Sequence, residues 1–221
     1  MSSITKIAID GPSGAGKSTI AKSVALAMKI EYVDTGAMYR AVAYKLIQEG
    51  IDLSDEEQIR SMLDKTDIDF SAGNIILDGQ IINDKIRTPE ITKMASTCSA
   101  ILAVREKLVQ LQRKMGETKS IIMDGRDIGA NVLPDAKYKF FMTATAEERA
   151  MRRYVELTQK GETVTYGQVL ADIIARDHND STRALNPLRK SADAIEIDTT
   201  NMSIVDVTEY ILREVRADGN C

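Results

Sequence analysis

One histidine and two cysteines are all that the 221 residues contain, and that scarcity closes off several chemistries. With a single imidazole there is no Ser–His or Cys–His nucleophile system to assemble, so His178 is given no catalytic role. Cys98 and Cys221 have neither the number nor the spacing of a disulfide framework or a zinc site, which fits a reducing cytoplasm. No stretch reaches the roughly 18 consecutive apolar residues of a membrane span. The start, "MSSITKIAID", lacks the basic and long apolar regions of an export signal. A soluble, unexported, cytoplasmic protein without a membrane partner is expected. Basic charge is short as well, since 29 Lys and Arg stand against 33 Asp and Glu for a net charge of −4. Binding a nucleic acid polymer through counterion release asks for the opposite balance. Prolines number only four, and no internal repeat or low-complexity tract is visible. What is present, 43% hydrophobic residues over this length, suffices for one substantial core or for a core with a small inserted lobe.

Five short apolar runs read as buried parallel strands: Lys6–Asp10, Glu31–Asp34, Ser120–Asp124, Tyr138–Thr143 and Ala194–Asp198. Helical periodicity fills the segments Lys17–Met28, Gly36–Gln48, Ala100–Met115, Ala146–Lys160, Tyr166–Asp177 and Ser203–Val215. Alternation of this kind predicts an α/β fold with right-handed crossovers. Residues 68–88, "IDFSAGNIILDGQIINDKIRT", break the rhythm and read as three short strands joined by turns at "AGN" and "DGQ". They predict a small antiparallel insert, too small to be stable alone.

The run "GPSGAGKST", directly after the first strand, fills the pattern G-x-x-x-x-G-K-[ST] with Gly11, Gly16, Lys17 and Ser18. Glycines let successive N–H groups approach phosphate oxygens, the next helix adds its positive end, and the lysine reaches the β and γ phosphates. The loop from Gly11 through Gly14, Ala15, Gly16, Lys17 and Ser18 to Thr19 is therefore expected to hold a nucleoside triphosphate, with Ser18 on magnesium. Ligands in open α/β sheets bind beyond the carboxyl ends of the strands. "DTGAMYR" and "DGRDIG" follow the second and third strands, and "RDHNDSTR" follows the fifth helical segment. Their arginines can converge on one phosphate cluster through planar forks that suit phosphate oxygens. Asp124 either holds magnesium through water or caps the next turn. Arg149, Arg152 and Arg153 in "EERAMRRY" form either a solvated helix face or part of a lid over the triphosphate.

An arginine-rich, histidine-poor site favours a phosphate as acceptor over an alcohol. A phosphate monoester, with a second pKa of about 6, is already a dianionic nucleophile near neutral pH and needs no general base. A kinase for another small acceptor, or a nucleotide switch or accessory ATPase, remains open at this point, although no N-K-x-D guanine-reading motif occurs.

Together, "GPSGAGKST", "DTGAMYR", "IRTPEIT", "DGRDIG" and "ADAIEIDTT" resemble the bacterial cytidylate kinase family from about Ile4 to about Val215. The resemblance implies transfer of the ATP γ-phosphoryl group to CMP or dCMP by a monomer. It implies a five-stranded parallel sheet with helices on both faces, an acceptor-binding insert over residues 61–96 and a short lid over 146–189. The core is then residues 1–60, 97–145 and 190–221. It implies Lys17, Arg126, Arg176 and Arg183 as the catalytic set, with Thr35, Arg40 and Arg126 at the acceptor phosphate. Ser96, Arg105 and Asp127 would read the cytosine edge, and Asp180 would face the ribose. Two departures stand out: Asn186, where relatives often carry a smaller residue, and the tail ending at Cys221. Neither is expected to touch a proposed contact.

Overall fold

The computed structural model describes residues 4–71 and 73–217. Its eight strands run β1 (Lys6–Asp10), β2 (Glu31–Asp34), β3 (Ile68–Ser71), β4 (Asn74–Leu77), β5 (Gln80–Ile81), β6 (Ile121–Gly125), β7 (Tyr138–Thr143) and β8 (Ile195–Asp198). The α-helices are α1 (Lys17–Met28), α2 (Thr35–Glu49), α3 (Glu56–Asp64), α4 (Pro89–Cys98), α5 (Leu102–Thr118), α6 (Ala146–Gln159), α7 (Tyr166–Thr182) and α8 (Ile204–Arg216). One turn of π-helix covers Ile128–Val132. Two compact units result: one holds the chain up to Tyr32 and from Ser120 onward, the other Val33–Lys119.

The first unit is built on a five-stranded sheet in the order β2-β6-β1-β7-β8. β1 pairs in parallel with β6 and β7, and β7 with β8. Central parallel strands are covered on both faces and so are apolar throughout rather than alternating. Ile7, Ala8 and Ile9 of β1 and Ile121, Ile122 and Met123 of β6 have no exposed surface. α1 and α8 cover this core through Ile20, Val24, Val207, Ile211 and Val215. α8 begins with a reciprocal cap between Ser203 and Asp206, a local device that fixes where the helix starts. α6 and α7 pair through Ala150, Leu157, Val169 and Ile173, and Tyr154 meets Tyr166 edge to face at 6.4 Å.

The second unit holds the antiparallel sheet β3-β4-β5 with α2 to α5. Ile68 and Phe70 pair across to Leu77 and Ile75, placing all four apolar side chains on the buried face. The turn between β4 and β5 carries Asp78 at φ 49° and Gly79 at φ 78°, the paired left-handed conformation that Asp-Gly favours in tight hairpins. In the other predicted turn, Ala72 lies outside the described residues.

α3 and α4 are absent from the sequence expectations. Each has an N-cap: Asp55 accepts from the Gln58 amide, and Thr88 accepts from the Ile91 amide with Pro89 opening the helix. α7 is five residues longer than its expected end at Asp177. "RDHNDSTR" therefore does not follow the helix but forms its polar last turns. β6 and β8 begin one residue later than expected, at Ile121, opposite Lys6 of β1, and at Ile195, opposite Phe140 of β7. Cys98 is buried in α4, where burial pushes its thiol up to about 12. Cys221 lies outside the described residues. Among those residues no helix is long and apolar enough to cross a membrane.

Candidate active site

The glycine turn after β1 adopts left-handed backbone at Gly11 (φ 147°), Gly14 (φ 78°) and Gly16 (φ 85°). Gly11 tolerates no side chain, since a Cβ there would lie 2.0 Å from the Met142 carbonyl oxygen. Three carbonyls of the turn are occupied from behind. Lys17 Nζ donates to Pro12 at 2.7 Å, an Arg149 guanidinium nitrogen to Ser13 at 3.1 Å, and Thr199 Oγ1 to Ala15 at 3.4 Å. Carbonyls engaged in this way do not confront an anion, and the positive end of α1, which has no side-chain cap, remains to attract one.

Lys17 is buried, and its ammonium is held well below the ordinary lysine range, first by burial and then by Arg126. Asp124 and Asp10 act the other way, and Arg176 adds to the depression. Ser18 Oγ donates to one Asp124 oxygen at 2.7 Å, and Tyr32 donates its phenol to the other at 2.8 Å. Two amides of the following π-helical turn, Ile128 N and Gly129 N, donate to Asp10, each at 2.8 Å. Burial pushes the Asp10 carboxyl up to about 6, against the pull of those amides and of Lys17; Asp127 adds to the rise.

Arginines of the first unit are fixed by carboxylates. Arg126 Nε donates to Asp180 at 2.7 Å, and an Arg183 terminal nitrogen donates to Asp127 at 3.2 Å. Asp180 is nearly buried, which raises its pKa, yet attraction to Arg126, with Arg176 and Arg183, leaves it below the usual carboxylate range. Arg183 Nε also donates to the Asn186 carbonyl at 2.8 Å. Asn186 sits at φ 49°, a conformation asparagine tolerates, and it meets Arg183 through its backbone carbonyl.

The three arginines of α6 do not share one solvated face. Arg149 is buried and spans the Ser13 and Ala144 carbonyls and Asp177 of α7. Arg152 bonds Glu148 and Thr199, and Arg153 lies outermost, paired with Glu156. His178 is exposed.

Within the second unit, Asp34 caps α2 through the Ala37 amide and holds Arg40 at 2.9 Å. Arg40 Nε is buried with no hydrogen-bond partner among the described residues, a polar group suited to an incoming anion. Thr35, the first residue of α2, is buried. Arg105 is not the helix-surface residue its position in a periodic segment suggests. It is buried, donates to the Ser99 carbonyl at 3.4 Å and lies 5.9 Å over the Tyr39 ring. Ser96 is half-buried on α4.

The cytidylate kinase family model matches residues 7–217. The chain belongs to the cytidylate kinase family. It is 51% identical over 209 residues to a cytidylate kinase of Clostridioides difficile (strain 630), covering 95% of this chain and 97% of that protein. To one of Caldanaerobacter subterraneus it is 50% identical over 211 residues, covering 96% and 94%. Among solved structures, a shikimate kinase of Acinetobacter baumannii in complex with shikimate superposes with a TM-score of 0.50 at 15% identity, covering 99% of this chain and 96% of that one. An uncharacterised protein of Eubacterium ventriosum gives 0.53 at 15%, covering 97% and 99%. These two likenesses concern the fold.

Several residues at or next to the expected site residues were not singled out in advance. Asp10 and Asp34 were noted only as strand ends, and Tyr32 and Thr199 not at all. A strand-terminal aspartate directly before a glycine turn or a helix is the usable signal, because its side chain reaches the amides that start the next element. Tyr32 and Thr199 reach their partners across the sheet, and nothing in the local pattern marks them.

Proposed function

We propose that this chain, as a monomeric cytoplasmic enzyme of pyrimidine nucleotide metabolism, transfers the γ-phosphoryl group of ATP to CMP or dCMP, giving ADP and CDP or dCDP. The observation that carries the reading is the Ser18–Asp124 pair beside a buried lysine in the field of Arg126 and Arg176, in a chain of this family. The turn from Gly11 to Thr19 holds the ATP phosphates. An arriving polyphosphate offsets the burial that disfavours the Lys17 charge, so binding and charge reinforce one another.

Ser18 and Asp124 offer hard oxygen donors, and magnesium takes few protein ligands because it keeps waters and binds substrate phosphates. The pair fits such an ion, with Asp124 acting through water. When bound, magnesium neutralises charge on the β- and γ-phosphate oxygens. Tyr32 fixes the second Asp124 oxygen.

The acceptor is its own nucleophile. An oxygen of the CMP phosphate attacks the γ-phosphorus, and the bond to the β,γ-bridging oxygen breaks with release of ADP. The work left to the protein is to bring two anions into line. Arg40, with Thr35, and Arg126 hold the acceptor phosphate; Arg176 and Arg183, with Lys17, stabilise the charge on the moving group. Arg105, Ser96 and Asp127 read the cytosine, whose exocyclic amine donates to a carboxylate and whose O2 and N3 accept from an arginine or hydroxyl. Asp180 faces the ribose. Residues 61–96 form the acceptor-binding insert and residues 146–189 the lid, in which Arg149, Arg152 and Arg153 follow the triphosphate.

Incubation of the chain with γ-labelled ATP, magnesium and CMP tests the reaction. Label is expected in CDP, one for each ADP formed. Label released only as inorganic phosphate would refute the assignment.

A further inference from the structure

Asp10 ends β1 immediately before the glycine turn, and 118 positions further on the Ile128 amide donates to its Oδ1 at 2.8 Å. The Gly129 amide donates to its Oδ2 at the same distance. Both carboxylate oxygens thus accept from consecutive amides of the π-helical turn that Asp127 precedes. Neither partner can move away cheaply. Asp10 is fixed by β1, whose neighbours are β6 and β7. A Cβ on Gly129 would lie 3.1 Å from the Lys139 side chain and 3.3 Å from Ser191 Oγ, so that stretch of backbone is tightly enclosed.

We infer that Asp10 is a positioning residue for the acceptor: its carboxylate pins the amides that follow Arg126 and Asp127 to the root of the phosphate turn. The inference rests on the assignment of Arg126 and Asp127 to CMP. Both Asp10 oxygens are taken up by backbone amides, so its part is indirect. It acts by setting where the two side chains start from, and π-helical turns are found at such functional positions. A neutral amide cannot replace it. Asparagine retains one acceptor oxygen, and its NH2 group would face the second backbone N–H, donor against donor. The expected result is a turn displaced at Arg126 and Asp127, with the phosphate turn still held by Lys17, Arg149 and Thr199.

The test compares steady-state kinetics of the full chain, D10N and D127N with CMP and ATP varied in turn, beside ATP-analogue binding without acceptor. D10N is expected to raise KM for CMP and lower kcat, each about tenfold or more, since small misplacements of reacting groups cost up to about a hundredfold. ATP-analogue affinity is expected to stay within about threefold. An unchanged KM for CMP in D10N, while D127N raises it, overturns the inference and leaves the assignment of Asp127 standing. An unchanged KM in D127N refutes that assignment and the inference with it. Equal weakening of CMP and ATP in D10N marks a general structural role and also overturns the inference. Should D10N fail to fold, amide hydrogen exchange of the unmodified protein decides. Ile128 and Gly129 are expected to exchange at least about a hundredfold more slowly than free peptide, and free-peptide rates would overturn the inference.

Discussion

Replacing Gly11 and Gly16 by alanine, one at a time, separates backbone conformation from packing within a single turn. Both residues have positive φ, 147° and 85°, so alanine meets a conformational penalty at each of about 1–2 kcal/mol. Their surroundings differ sharply. At Gly16 the added carbon has its nearest neighbour, the flexible end of Met142, at 3.9 Å, whereas at Gly11 it would sit 2.0 Å from the Met142 carbonyl oxygen. That oxygen belongs to β7, which is paired to β1 on one side and to β8 on the other. Relief therefore requires displacing a central strand or the turn. Forced overpacking adds about 1–3 kcal/mol, so G11A is expected to lose about 2–5 kcal/mol and G16A about 1–2. Urea unfolding without nucleotide measures this difference and keeps phosphate contacts out of the comparison. In heating experiments each 1 kcal/mol corresponds to about 2–4 °C for a chain of this size. Equal destabilisation of the two variants would refute the reasoning, because backbone angle alone would then account for both.

R126K keeps the charge but loses the fork that donates to Asp180 at 2.7 Å. It is expected to lower kcat about 10–100-fold with a melting temperature changed by under about 3 °C; wild-type kinetics would argue against phosphate clamping there. Arg105, buried over Tyr39, is worth one hydrogen bond from a charged group, about 1.5–3 kcal/mol, so R105A is expected to raise KM for CMP at least about tenfold while KM for ATP holds. Asp10 also predicts a pH effect on stability. Its carboxyl rises from 3.8 to about 6 on folding, so between these values the folded state holds the proton that the unfolded state has lost. Stability from this group is then present at low pH and declines as pH rises through about 6. D10N lacks the effect, so its stability relative to the unmodified protein is expected to gain about 2 kcal/mol between pH 4 and pH 7. A pH-independent difference in urea unfolding would contradict this.

The parallel sheet was legible because its strands are continuous apolar runs bounded by aspartates. The insert was legible because Asp78-Gly79 is a hairpin turn and the apolar residues alternate around it. α3 and α4 escaped notice for a common reason. Each is short, and only one narrow stripe is buried, Ile59, Met62 and Leu63 in α3 and Ile91, Ala95 and Cys98 in α4. α7 was cut short at Asp177 because its last turns bury no apolar stripe. Carboxylate–arginine pairs, Asp177 with Arg149 and Asp180 with Arg126, hold that stretch in place, and hydrophobic periodicity carries no trace of them.

At the site, the glycine turn was readable from local spacing, since its mechanism lies within nine consecutive residues. Ion pairs over long chain separations were not. Arg126 and Asp180 lie 54 positions apart, and Ser18 and Asp124 lie 106 apart. Only the tertiary fold, which sets helices α1 and α7 against the ends of the strands, brings them together. Arg149 shows the converse: helical spacing puts it with Arg152 and Arg153, while the structure turns it inward to the Ser13 carbonyl.

The most direct measurement is the rate of phosphoryl transfer from magnesium ATP to a panel of acceptors under one set of conditions. A site that matches hydrogen-bonding groups to one base rejects the others strongly. The kcat/KM for CMP and dCMP is accordingly expected to exceed that for AMP, GMP and shikimate by at least about a hundredfold. Turnover of AMP as fast as CMP would contradict cytosine reading by Arg105 and Asp127, and with it the central claim about the acceptor.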